Sequence, residues 1–280
     1  MPGKAICCFG KNTLKWDCLN INIITMKKLV FLDTETTGND TKEDRLCQVC
    51  YKFEDRKDKK GEIIEKGEIV TKNFKPPIPI SVKAMSVTHI TNKMVENEES
   101  FKGSEIAKEL QDVLDENILV AHNAKFDIAM LEAEGLKVPR NICTLRLARY
   151  LDVDCEVPEY SLQFLRYYYE MELDVMAHSA EGDVLVLEAL FNHLYKQAEE
   201  KANFSKNDTE EEKREIIIQR MLDISAKPSI IRKFVFGKYN GRKLAEIALE
   251  DKGYLEWLLR TKREEEDEDW IYTLEHFLGK

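Results

Sequence analysis

Five residues in three separated stretches carry the chemistry open to this chain: Asp33 and Glu35 in FLDTETTG, Asp127 in HNAKFD, and His178 with Asp183 in HSAEGD. Asp33 and Glu35 follow an apolar run, Leu29 to Leu32, which reads as a short strand covered on both faces. Residues two apart in a strand share a face, so the two carboxylates stand side by side. Like charges that close repel unless a proton or a cation lies between them. Hard divalent cations with oxygen ligands are the natural partner. Taken alone, D-x-E is more simply an acidic strand end running into a Thr-Gly turn. Asp127 and Asp183 each fall early in an expected helix, where an acid can do no more than complement the helix dipole. His178 stands five residues before Asp183, so a loop histidine can lean over a site whose cation the helical aspartate holds. The joint order D-x-E, D, H-x4-D is far rarer by chance than any one part.

The elements that must position these groups follow from the pattern of apolar residues. After the first strand, Leu46 to Phe53 and Glu62 to Phe74 read as two more, joined through the charged turn EDRKDKKG into a three-strand meander. The prolines of KPPIPI, residues 75–80, exclude helix and central strand and open a long connection, SVKAMSVTHITNKMVENEESF, of the kind that often forms a lid. A helix is expected near Gly103 to Asp115, a buried strand over Asn117 to Ala121, and a helix from Lys125 to Glu134 that stops at Gly135. A last strand, Asn141 to Thr144, precedes helices over Leu145–Leu151, Ser161–Glu170 and Ser179–Lys196. Strands first and then alternating helix and strand make an α/β fold, a mixed sheet covered by helices. Four segments are expected: an extension over residues 1–25 with no assigned role, a main domain over 26–197, a charged linker, helical or flexible, over 198–228 and a small domain over 229–280.

Composition sets the limits. A chain of 280 residues, 43% hydrophobic, is long enough for one good core and a small extra unit. No apolar run approaches the roughly 18–20 residues that cross a bilayer, and the first 25 residues lack a signal-peptide pattern. Seven cysteines without a secretory signal point to free thiols in a reducing compartment, the cytoplasm. Cys47-x-x-Cys50 lies in an expected strand, where residues three apart face opposite sides, which argues against a zinc half-site. A formal charge of −10 argues against non-specific coating of nucleic acid but not against a grip through a few local cations and bound metals. The run REEEDED, residues 263–269, reads as a solvated acidic face.

On FLDTETTG, HNAKFD and HSAEGD, from Lys27 to Tyr195, the chain resembles the DEDDh, or DnaQ-like, 3′-to-5′ exonucleases of the ribonuclease H-like fold. VTHIT, Val87 to Thr91, is similar to that family's H-G-I-T element, with Thr88 replacing the usual glycine, and His178-Ser179-Ala180 replaces H-R-A. The H-x4-D spacing separates it from the sister class that uses tyrosine. The resemblance implies a five-stranded mixed sheet and a site in which Asp33, Glu35, Asp127 and Asp183 hold two divalent ions. Magnesium is the expected ion and manganese a substitute. His178 would accept the proton of the attacking water. Thr34, Thr36, Thr37, His89, His122, Asn123 and Phe126 would contact the terminal nucleotide. The implied reaction is removal of nucleoside 5′-monophosphates from the 3′ end of DNA, single-stranded or as a duplex end, in a repair setting. The alternatives are an exoribonuclease with the same site, or a proofreading subunit docked on a polymerase. A non-catalytic binder would be expected to have lost part of the acid set, which is complete. A homodimer is compatible with the family. Residues 236–259 resemble the small domain that follows the nuclease core in exonuclease X-like proteins. There, Lys238, Tyr239, Arg242 and Lys243 form either a strand-binding patch or a structural hairpin.

Overall fold

The structure, a computed structural model, describes residues 27–58, 62–173 and 180–280. The extension over residues 1–25 lies outside the described residues, as does His178 with its neighbour Ser179.

A five-stranded sheet forms the centre, in the order β5-β2-β1-β6-β7. β1 (Leu29–Thr36) lies in the middle, antiparallel to β2 (Leu46–Phe53) and parallel to β6 (Ile118–Ala121). β5 (Ile69–Asn73) extends the antiparallel edge and β7 (Asn141–Cys143) the parallel one. The strand alternation of β1 sorts its side chains between two layers. Leu29 and Phe31 pack with Val184, Leu187 and Phe191 of α6 (Ala180–Lys201), and the Phe31 and Phe191 rings meet edge-on at 5.6 Å. Val30 and Leu32 pack with Leu110 and Leu114 of α2 (Glu105–Glu116) and with Met130 and Leu131 of α3 (Lys125–Ala133). A buried ion-pair network ties α6 to the sheet. Lys52 Nζ on β2 sits 2.5 Å from Asp55 and 2.8 Å from Glu188 of α6, with all three side chains at most 11% exposed.

Several elements differ from the reading of the sequence. The expected third strand is broken into β4 (Ile63–Glu65), which pairs with β3 (Arg56–Lys57) as a separate ribbon, and β5. The break falls at Gly67, where a Cβ would lie 1.8 Å from the carbonyl oxygen of Phe53, so the chain turns tightly against β2. Within the long connection, α1 (Val82–Thr88) forms behind a Ser81 cap whose hydroxyl accepts from the Ala84 amide. Past the prolines, that stretch contains no residue that breaks a helix. α4 (Thr144–Leu151) and α5 (Leu162–Tyr168) match the expected helices. The stretch read as a charged linker holds α7 (Glu210–Ser225), opened by a Thr209–Glu212 capping box. Its Ile217, Ile218 and Met221 belong to the same buried cluster as Phe31, so this segment is built into the main core. The lysine and glutamate content hid an apolar face that recurs every three to four residues.

The C-terminal unit has its own cluster. Phe234 and Trp270 pack at 5.6 Å among residues from α8 (Leu244–Glu250), α9 (Lys252–Glu264) and α10 (Glu268–Leu278). Two of its cations are paired within the unit: Lys238 and the Tyr239 hydroxyl both meet Asp251, and Arg242 meets Glu246 and Glu250. Among the described residues, no helix is long and apolar enough to cross a membrane.

Candidate active site

The two layers of the core deliver their acids to one end of β1. Asp33 and Glu35 continue the face of Phe31 and so point toward α6, whose first turn carries Asp183. One oxygen from each of Asp33, Glu35 and Asp183 lies within 4.8 Å of the other two, and all three side chains are partly exposed. Thr34, on the opposite face, points toward α3. Its hydroxyl donates to Asp127 Oδ1 at 2.8 Å. Gln163 on α5 donates through Nε2 to Asp183 Oδ1. Sequence reasoning missed Gln163, because a glutamine in an amphipathic helix carries no signal until α5 is laid against α6.

The electrostatics of this cluster are unfavourable without a ligand. Burial, and then the charges of Asp127, Glu35 and Asp183, hold Asp33 well above the usual carboxylate range. Burial followed by repulsion from Asp183 and Asp127 pushes Glu35 up to about 7. Burial pushes Asp127 up to about 7 against the opposing pull of the Thr34 hydrogen bond. An all-oxygen donor set, desolvated and charged alike, fits hard divalent cations.

The three threonines of the first motif direct their hydroxyls inward. Besides Thr34, Thr36 Oγ1 donates to the Gly38 carbonyl at 2.6 Å and Thr37 Oγ1 to Asp44 Oδ1 at 2.7 Å. The Asp44 carboxylate fills the space beside Gly38, where a Cβ would meet it at 2.4 Å, so a larger residue there would have to displace that side chain from Thr37. The Ser81 amide donates to the Thr37 carbonyl, which ties the start of α1 to the end of β1. Asn92 then clamps the base of the long connection with two hydrogen bonds to the backbone of Ile80.

His89 caps α1 in the left-handed region at φ 58° and is exposed. The position at which glycine would relieve strain is therefore His89, not Thr88 as read from the sequence. His122 is held from both sides, with Nδ1 2.9 Å from Thr144 Oγ1 and Nε2 2.8 Å from the Tyr160 carbonyl. Burial lowers its pKa to about 4 and keeps it neutral. Both ring nitrogens thus face protein partners. Asn123 is exposed at φ 59°, and Phe126 is half-buried against the α2–α3 side of the core. Cys47 and Cys50 lie in separate buried clusters on opposite faces of β2, and burial pushes each thiol up to about 12.

With this geometry in place, comparison with known proteins identifies the chain. Residues 30–191 match the exonuclease family, and residues 234–262 match the exodeoxyribonuclease X-like C-terminal family. Exodeoxyribonuclease 10 of Escherichia coli K12 is 28% identical over 215 residues, covering 73% of this chain and 82% of that protein. DNA polymerase III subunit epsilon of Treponema pallidum is 31% identical over 165 residues, covering 57% of this chain and 72% of that one. The solved structure of exonuclease X in complex with 5′ overhanging duplex DNA superposes with a TM-score of 0.50 at 23% identity. It spans 70% of this chain and 99% of that one, a likeness of fold. The chain therefore belongs to the exonuclease family, as a 3′-to-5′ exonuclease of the ribonuclease H-like fold that carries an exodeoxyribonuclease X-like C-terminal unit.

Proposed function

We propose that this enzyme hydrolyses DNA from its 3′ end and releases nucleoside 5′-monophosphates. The observation that carries the reading is the convergence of Asp33, Glu35 and Asp183 at one end of β1. The relationship to E. coli exodeoxyribonuclease 10 supports DNA as the polymer.

Asp33, Glu35, Asp127 and Asp183 would hold two divalent cations, magnesium or in its place manganese, which when bound acidify a water and stabilise the leaving 3′ oxygen. The chain's own contribution is placement. Thr34 fixes the rotamer of Asp127 and Gln163 that of Asp183, so two of the four carboxylates are oriented by hydrogen bonds from neighbouring elements. His178, from the HSAEGD motif, is the general base in this proposal, histidine being the side chain that most often fills that role. Asp127 is buried and the other three acids are only partly exposed, so the cluster is short of water and favours a cation over solvation.

The test is digestion of a 5′-labelled single-stranded DNA and a matched RNA, each with magnesium, with chelator, and with the Asp33→Ala and His178→Ala proteins. A DNA ladder that shortens from the 3′ end and disappears in the three controls is the expected result. RNA degradation alone would move the substrate while keeping the site. Undiminished cleavage by His178→Ala would remove the histidine from the chemistry.

A further inference from the structure

The acidic run at residues 263–269 is largely exposed, as read from the sequence, but three of its acids, Glu266, Glu268 and Asp269, also meet cations of the nuclease unit. Glu266 Oε2 is 3.2 Å from Lys42 Nζ. Glu268 Oε2 is 3.7 Å from Lys125 Nζ and 3.3 Å from Arg146. Asp269 meets Arg146 at 3.3 Å and Arg149 at 2.8 Å. Lys42 belongs to the turn that follows β1, the strand of Asp33 and Glu35. Lys125 opens α3, the helix of Asp127. The two lysines therefore belong to elements that adjoin or carry the acids, and each is paired with a carboxylate of the C-terminal unit.

We infer that Lys42 and Lys125 form a backbone-binding rim for the nucleic-acid strand, and that Glu266 and Glu268 occupy it in cis in place of phosphates. The inference rests on the nucleic-acid substrate proposed above. A chain of net charge −10 with four clustered acids repels a polyanion and needs local cations where the strand approaches. The two kinds of contact in the run divide the labour. Asp269 is an anchor: its side chain is 17% exposed, and it also accepts from the Ser229 amide at 2.9 Å and the Ser229 hydroxyl at 3.0 Å. The Lys42–Glu266 pair is 78% and 75% exposed, and the Lys125–Glu268 pair 58% and 55%. Exposed pairs of this kind contribute little and are screened by salt, so a phosphate can replace the carboxylate without undocking the unit. The C-terminal unit then sets how readily the rim accepts a strand.

The test compares wild type with Glu266→Gln/Glu268→Gln, with Lys42→Ala/Lys125→Ala, and with all four changes together. KM and kcat are measured on single-stranded DNA from 50 to 200 mM KCl. Freeing both lysines is expected to lower KM several-fold with kcat unchanged. It should also steepen the log KM against log salt slope by about 1.4, at about 0.7 for each phosphate contact on a single strand. Lysine removal is expected to raise KM several-fold and, in the fourfold variant, to abolish the effect of the glutamine changes. If the glutamine changes leave KM and slope where they were, the run is only a staple and the inference fails. Fluorescence anisotropy of the same four proteins on matched DNA and RNA separates this from failure of the substrate reading. If RNA is the polymer bound and cut, the same ranking on RNA upholds the rim. Equal binding of either polymer by all four proteins overturns it.

Discussion

Two charged regions of this molecule are built on opposite rules. At the end of β1, three carboxylates from two elements converge within 4.8 Å, with a fourth beside them, and their mutual repulsion adds to the effect of burial. Where the C-terminal unit meets the nuclease unit, every acid of residues 266–269 except Asp267 faces a cation across the junction. Asp267 instead caps α10. The second arrangement is one a fold reaches by lowering its own free energy. The first raises it, and a protein tolerates that where a ligand removes the penalty. The contrast separates a site from an interface more reliably than charge density does, since both stretches read as acidic in the sequence.

The sharpest way to break the comparison is Asp33→Asn, which removes one repelling charge while keeping the shape. Activity should fall by about 10³-fold or more, the equivalent of several kcal/mol of lost metal-assisted stabilisation. The metal-free protein should nevertheless melt at a higher temperature. A lower melting point in chelator would mean that Asp33 is a structural acid. Next comes pH. Glu35 has an ordinary pKa of 4.5 and a folded value of about 7, so between those values the folded state binds more protons than the unfolded one. Metal-free stability should therefore fall as pH rises from about 4.5 to about 7, by on the order of 3 kcal/mol at most. Saturating magnesium at pH 8 should restore it, and at pH 5 should do little. Thermal melts in EDTA and in magnesium across that range would show it, and a flat difference between the two would contradict the charge repulsion.

Smaller effects sharpen the picture. Gln163→Ala should weaken metal affinity or activity by about 10–100-fold, as for other groups that orient a ligand, while Gln163→Glu should do worse by adding a fifth acid. Metal titration followed by activity would separate a loss of affinity from a loss of turnover. On the other side, Asp269→Ala should destabilise the junction by about 1.5–3 kcal/mol, because it removes the carboxylate that Arg149 pairs with and leaves the Ser229 amide without its acceptor. Lys42→Ala should change stability by no more than about 1 kcal/mol, the range of an exposed pair. Denaturant melts of the two variants would test the division between anchor and exchangeable pair, and equal losses would erase it.

The strand that carries Asp33 and Glu35 was legible because its message is local. LVFLDTET declares a buried strand by its apolar run and places Asp33 and Glu35 on one face by its period of two. The same holds for the helices that carry Asp127 and Asp183, whose apolar spacing and first-turn acids stand in the chain in plain order. The opposite faces of Cys47 and Cys50 follow from that period as well. Other features depend on what lies across the fold. α7 passes for a charged linker until the core shows which of its sides is covered. The sharp turn at Gly67 depends on the Phe53 carbonyl, and the left-handed cap at His89 on where α1 stops. The resemblance gives His122 as a contact of the terminal nucleotide, and only the fold shows that Thr144 and Tyr160, 22 and 38 residues away, meet its ring nitrogens. The acidic run shows most clearly what sequence leaves open: REEEDED states a charge but not its partner. By itself the sequence determined which residues can do chemistry and which elements carry them, because backbone periodicity is a short-range property. Only the tertiary structure decided which charges meet an opposite one and which are left to face each other, because pairing is settled by distance in space.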